Sequence, residues 1–306
     1  MRRLGIIAVL CVLSAQACGQ QLSQFSHFVT NYFAFNPAMA GSAPCLDLKL
    51  GYRKQWQGFE GAPSTAFANL HGNISSKGKN FHGIGGLVET DDTGPMSFTQ
   101  LNLAYAYHMA TSRTAMLSVG VSAGFSQHRV DYGSMTLDNF NDPAINASQS
   151  NFIYPQINFG LWLYDEDRFV GFSMRNLIEN DIPGVGVSKM RRHYEAMAGK
   201  NVELGSEFMF KPAVQLKYVA STRLAIDAQA LMDYQGKFAA GIGFRSENGL
   251  AALVRIDMFK YVTLAYAYDM TLSKVRFSGR NTHEIMIGIQ ACPTGEGKYI
   301  PCGAYM

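Results

Sequence analysis

The side chains that could carry chemistry in this 306-residue sequence are seven histidines, five cysteines and a small set of acids and bases. Hydrolytic nucleophiles need a base within hydrogen-bond reach and a third group that orients the base. None of the histidines sits in a recognisable nucleophile motif: His108 and His193 fall on strand-like segments, His128 in a loop, and His283 near a strand end. Zinc sites carry paired His or Cys at short fixed spacings. Here no two histidines lie four apart and no CxxC occurs. His283 and Glu284 are adjacent, so on a strand they face opposite ways. These residues point to no enzyme, no metal and no cofactor. The net charge of +3 is spread along the chain without a long basic run, which argues against a nucleic-acid partner.

The remaining chemistry is that of charged side chains in pairs. Asp47, Arg223, Asp227, Arg245, Arg255, Asp257, Asp269 and Glu284 recur on one side of segments whose other side is apolar. Arg53 joins them, with Asp47, Asp227, Asp257, Asp269 and Glu284 as candidate partners and Arg175 as a further cation. Unpaired charge in a narrow interior is costly, so a network of mutual pairs is expected.

What must position them is a set of strands. Leu46, Leu48, Leu50 and Tyr52 alternate with Asp47, Lys49, Gly51 and Arg53; Leu101, Leu103, Tyr105 and Tyr107 alternate with Asn102, Ala104, Ala106 and His108. A strand sends the two sets to opposite faces. Fourteen such segments are read, at 45–56, 64–73, 81–90, 97–108, 113–127, 152–164, 167–176, 191–200, 208–219, 222–233, 236–245, 249–258, 261–271 and 282–290. Most have the length that a tilted strand needs to cross a bilayer. The links 128–151, 177–190 and 272–281 are long and fall on one side, opposite the short turns 165–167, 234–236 and 259–260. That asymmetry suits an outer-membrane barrel. A water-soluble β-sandwich would also alternate, but its polar face normally carries many Lys and Glu. Here that face is rich in Gly, Ser and Ala, and charged residues are only 16% of the chain. The fold class expected is a closed antiparallel transmembrane β-barrel. The pairs Tyr105/Tyr107 and Tyr266/Tyr268 suit interfacial girdles or sheet packing.

The two ends differ from the barrel. Residues 1–19 read as a secretory signal peptide: Arg2 and Arg3, an apolar stretch 4–13, then Ser14-Ala15-Gln16-Ala17. Cleavage falls after Ala17 or Gly19, with lipidation at Cys18 as the rival. Residues 20–44 do not alternate and carry Phe25, Phe28, Tyr32, Phe33 and Phe35, followed by Pro37 and Pro44, which forbid a ladder. A short helix over 25–34 and a turn are expected, in a segment that plugs the barrel or docks on a partner from the periplasmic side. The barrel spans 45–291 and a periplasmic tail 292–306 follows. Cys45 precedes the first strand and Cys292 follows the last, so a disulfide across the seam is expected in an oxidising compartment. A Cys292–Cys302 loop is the rival.

Several stretches resemble the PorP/SprF family of the type IX secretion and gliding machinery. Gln24-Phe25-Ser26 and Asn36-Pro37-Ala38-Met39-Ala40-Gly41 match its N-terminal signature. Arg53, Gln55, Trp56, then Gly58, Phe59, Gly61, Ala62 and Pro63 are similar to its RxQW…GAPxT stretch, placed here at a strand end and rim loop. Ala267-Tyr268-Asp269 and His283-Glu284-Ile285 resemble its closing pattern, and the tail 291–306 extends past it. The resemblance implies a non-enzymatic outer-membrane component, set among outer-membrane lipids. It would bind, export or anchor secreted surface proteins, adhesins included, through their type IX C-terminal domain, with periplasmic machinery as further partners. The 20–44 segment and the periplasmic turns would face that machinery. The alternative is a passive porin, and a filled lumen would decide against it.

Overall fold

The computed structural model describes residues 24–43, 45–74, 79–131, 133, 151–182, 188–220, 222–246, 249–258, 261–271 and 281–291. The expected signal peptide with Cys18, and the tail with Cys292 and Cys302, lie outside the described residues. The described strands are β1 (Leu46–Lys54), β2 (Ser64–Ile74), β3 (Phe81–Thr93), β4 (Met96–Ala110), β5 (Met116–Val130), β6 (Asn151–Tyr164), β7 (Arg168–Arg175), β8 (Asp181–Ile182), β9 (Ser188–Lys189), β10 (His193–Lys200), β11 (Val202–Leu204), β12 (Phe208–Val219), β13 (Ala225–Tyr234), β14 (Phe238–Arg245), β15 (Gly249–Met258), β16 (Val262–Thr271) and β17 (Thr282–Ala291).

All neighbours pair antiparallel. The ladder closes on itself, with β1 paired to β17 and β10 to β12. Closure excludes the sandwich, which keeps edges. Apart from the β8–β9 pair and the short β11, the wall has fourteen strands, one for each alternating segment of the sequence. The long links join strands at one rim. β1 starts and β17 ends at the other, which for an outer-membrane barrel is the periplasmic rim.

The period-two pattern sorts faces as expected. Leu50, Phe125 and Ile285 point outward, and Leu103 and Ile242 are 68% and 69% exposed, fit only for lipid. Inward, Asp47, Asn102, Ser118, Asp227 and Glu284 are buried. The Tyr pairs meet histidines on the outer face. His82 bonds the Tyr105 hydroxyl (2.6 Å) near the periplasmic rim, and His283 bonds that of Tyr266 (2.7 Å) near the other. Rings with polar tips at both interfaces fit girdles.

The barrel is filled by its own N-terminal segment. From Phe25 to Ala43 every residue except Thr30 is buried. The expected helix over 25–34 is absent. Three 3₁₀ turns take its place, at Phe28–Thr30, Tyr32–Ala34 and Pro37–Met39, broken at Asn31 and at extended Asn36. An α-helix would aim the rings along one stripe. Instead they divide between two walls: Phe25 and Phe33 meet Phe67 and His71 of β2 (4.7 and 4.6 Å), while Tyr32 meets Phe169 of β7 (4.8 Å). Each buried ring contributes roughly 1.5–3 kcal/mol.

Cys45 is disulfide-bonded, and the seam register sets Leu46 opposite Ala291. Non-reducing peptide mapping is therefore expected to recover a Cys45–Cys292 peptide; a Cys292–Cys302 peptide would contradict this.

Candidate functional site: a locked lumen

The charged half of the lumen is built by strand register. Arg53 on β1 stands directly opposite Glu284 on β17, and Arg245 on β14 opposite Asp227 on β13. Opposed charges at such positions attract across the ladder. Arg53 Nε lies 3.5 Å from Glu284, and Arg53 Nη2 donates to Asp269 Oδ2 on β16 at 3.0 Å. Arg245 reaches the same Asp269 oxygen (3.4 Å) and Asp227 (3.6 Å), which also pairs with Lys217 on β12 (2.8 Å). Three cations thus face three carboxylates, and five of the six residues are fully buried. Mutual pairing offsets a desolvation cost of several kcal/mol per ion, and removing one partner would strand the others.

The N-terminal segment completes this network. Gln24 Oε1 accepts from Arg245 at 2.5 Å. Ser26 Oγ donates to Asp269 Oδ2 at 2.6 Å, and the backbone N–H groups of Ser26 and His27 donate to the two oxygens of Glu284 at 2.5 and 3.0 Å. Gln229 on β13 donates to the Ser26 carbonyl. His27 Nε2 bonds the carbonyl of Tyr266 at 2.8 Å. The Gln24-Phe25-Ser26 motif and the charge network, read separately in the sequence, are one lock.

The second motif binds the opposite wall. Asn36 caps its own turn by accepting from Ala38 N–H (2.9 Å), and its amide donates to the carbonyls of Leu161 and Phe172 (3.0 and 3.1 Å). Ser118 donates to the Ala38 carbonyl (2.8 Å), His108 Nε2 bonds that of Ala40 (2.7 Å), and Gly41 N–H donates to His71 Nδ1 (3.2 Å). This approach needs bare wall. A Cβ at Gly83 would stand 1.9 Å from the Ala40 carbonyl oxygen, one at Gly120 2.4 Å from Ala38 N, and one at Gly160 2.0 Å from Asn36 Oδ1. Gly41 itself takes φ +79°, open to glycine.

The rest of the upper lumen, on β3 to β7, is mostly uncharged and hydrogen-bonded, with Glu89 and Arg175 buried in it. Gln156 accepts from Asn102 and Ser126 (both 2.9 Å) and donates to Asn176 (2.7 Å), while Gln100 donates to Glu89 (3.0 Å). The rim loop after β1 is pinned on both sides. Gly94 N–H donates to Gly61 O (2.9 Å), Gln57 N–H to Asn281 O (3.0 Å), and Gln55 N–H to Pro63 O (2.9 Å). Trp56 sits at φ +42°, Gly58 and Gly61 also take positive φ, Ala62 and Pro63 are buried, and Phe59 is exposed.

Of the two places the sequence offers Arg53, the strand-end rim and the lumen network, it takes the lumen. One placement differs from the sequence reading. Arg223 lies outside the network: it has the inward parity, but β13 begins only at Ala225, and Arg223 is exposed in the link before it. The other expected members form separate groups nearer the periplasmic rim. Asp257 and Asp233 share Arg255, Asp233 also holds Lys211, and Asp47 holds Lys49 at 2.7 Å. Sequence reasoning missed Lys217, Gln229, His27, His71 and His108 as lock residues, and Glu195, which pairs with Arg175 (3.6 Å). Inward parity on alternating strands was the signal available for all of these but His27, which lies in the non-alternating segment.

Because the plug fits bare backbone, Gly83→Ala should destabilise it by about 1–3 kcal/mol through overpacking while sparing the wall. Limited proteolysis is expected to cleave residues 24–43 in that variant and not in the parent, with heat-modifiable migration on gels retained.

Among solved structures, the chain is similar to the toluene transporter TbuX of Ralstonia pickettii, at 11% identity, TM-score 0.53, and coverage of 85% of this chain and 93% of that one. It is also similar to the CymD monoaromatic hydrocarbon channel, at 10% identity, TM-score 0.50, and coverage of 91% and 96%. At such identity the likeness is one of fold. Comparison with curated proteins gives no sequence match. The sequence pattern of one family, described as type IX secretion system membrane protein PorP/SprF, matches residues 17–289. With a closed barrel, an apolar outer belt and that match over nearly the whole chain, this outer-membrane protein belongs to the PorP/SprF family of the type IX secretion system.

Proposed function

We propose that the protein is a non-enzymatic binding and assembly component: it holds secreted surface proteins, adhesins among them, by their type IX C-terminal domain during export or anchoring. The observation that carries this reading is the locked lumen. A passive porin needs a continuous aqueous path. Here a twenty-residue segment, 24–43, occupies the interior and is tied to the wall at both ends of its course. Recognition then falls to the rims. The pinned loop 55–63, with Phe59 exposed, offers a stiff extracellular surface, which lowers the ordering cost of binding. The links 91–96, 128–151, 177–190 and 272–281 would join it around the cargo domain. Periplasmic machinery would meet the opposite rim.

The expectation that the aromatic segment itself faces the machinery does not suit this closed state, because its side chains are buried. On the present reading the machinery contacts the short turns and the tail, and reaches the segment only by drawing it out.

A mild-detergent pull-down of the tagged protein from outer membranes, with mass identification, tests the reading. Recovery of a large surface protein through its C-terminal domain, or of periplasmic machinery, is expected. Recovery of the barrel alone, with clear ion conductance in planar bilayers, would leave the porin reading.

A further inference from the structure

Below the lock, the described residues leave the periplasmic end of the lumen unfilled. A cavity of about 270 Å³ remains, lined by Lys49, Lys200, Lys211 and Arg255 with the carboxylates of Asp233 and Asp257. Lys211 and Arg255 share Asp233, and Lys49 is held by Asp47. Lys200 is exposed and makes no ion pair among the described residues. The cavity is therefore cationic, with one free positive charge at its mouth.

A second hollow lies in the wall beside it. A groove of about 760 Å³, mostly apolar, runs where β6, β7, β10 and β12 reach the same rim, with lipid-side Leu163, Val170, Ala198 and Val214 along it. The two hollows share Lys200, Phe169, Pro212 and Ala213. The wall is thin there for a local reason. The β10–β12 ladder stops at Gly199 opposite Ala213, and Pro212 beyond it has no N–H to donate. Pairing resumes only between β11 and β12, at Val202 opposite Phe210. Phe169 packs directly on Gly199 there, where a Cβ would stand 2.4 Å from its ring, so one aromatic ring separates the two hollows.

We propose that this notch binds an anionic membrane lipid. Its acyl chain lies in the apolar groove and its headgroup turns through the gap onto Lys200 at the mouth of the cationic cavity. An apolar groove that shares Lys200 with a basic cavity matches an amphiphile whose charge is negative. A zwitterionic lipid would bring its own cation toward Lys200, and a soluble anion would leave the groove empty. Basic residues at a membrane surface favour anionic headgroups by about 1 kcal/mol each.

The sequence supplies a reporter. It has two tryptophans, and Trp162 stacks on Phe169 (4.8 Å), which lines both hollows. In a Trp56→Phe background, full-length protein would be placed in bilayers containing dibrominated phosphatidylglycerol or, at equal mole fraction, dibrominated phosphatidylcholine. Bromine quenches indole only at short range, so an occupied groove dims Trp162. The anionic lipid is expected to reach half-quenching at a roughly fivefold lower mole fraction. Lys200→Glu should abolish that preference, and Ala198→Leu, which fills the groove, should reduce quenching by both lipids; heat-modifiable migration reports that each variant is folded. Equal quenching by the two lipids, or a preference that survives Lys200→Glu, would overturn the proposal.

Discussion

One oxygen atom holds the lumen together. Asp269 Oδ2 accepts from Arg53, Arg245 and Ser26, three donors from two distant wall strands and the N-terminal segment. Neither guanidinium can be left alone in a dry interior. Asp227 and Glu284 supply the remaining countercharge, and Glu284 spends both of its oxygens on the backbone of Ser26 and His27. The wall is thus electrostatically complete only in this arrangement, and the segment's first residues are part of it. A lock made of charge-assisted bonds is also specific, because each bond constrains distance and direction.

The other half of the segment is held by shape. Around Asn36 to Gly41 the backbone lies on wall glycines, and the bonds run from wall side chains to segment carbonyls. Such packing rejects even one added methyl group, whereas the charged lock rejects loss of a partner. The two halves therefore fail differently. Withdrawal of the segment would expose five aromatic rings and several buried ions together, so the closed state should be the resting one, and opening needs a partner that compensates for both.

Much of the architecture was legible because a strand has a period of two and one lipid-facing side. Each of the fourteen alternating segments became a wall strand, within a few residues at its ends. The parity of Asp227, Arg245, Asp269 and Glu284 was enough to place them inside. What parity does not carry is height along the barrel. Arg255 and Asp257 share it with Asp269, yet they sit near the opposite rim with Asp233. Arg223 shares it too, but lies beyond its strand. The path of residues 25–34 was illegible for another reason. Its aromatic spacing suits a helix, and only the positions of Phe67 and His71 on β2 and of Phe169 on β7 require it to break at Asn31.

Hydrogen exchange read by mass spectrometry, on the protein in native-like bilayers, tests the locked lumen most directly. Amides of residues 24–43 are predicted to exchange as slowly as those of β1 and β17, since they are buried and bonded to the wall. Exchange of that segment within seconds, beside protected strands, would show an unoccupied lumen and contradict the account.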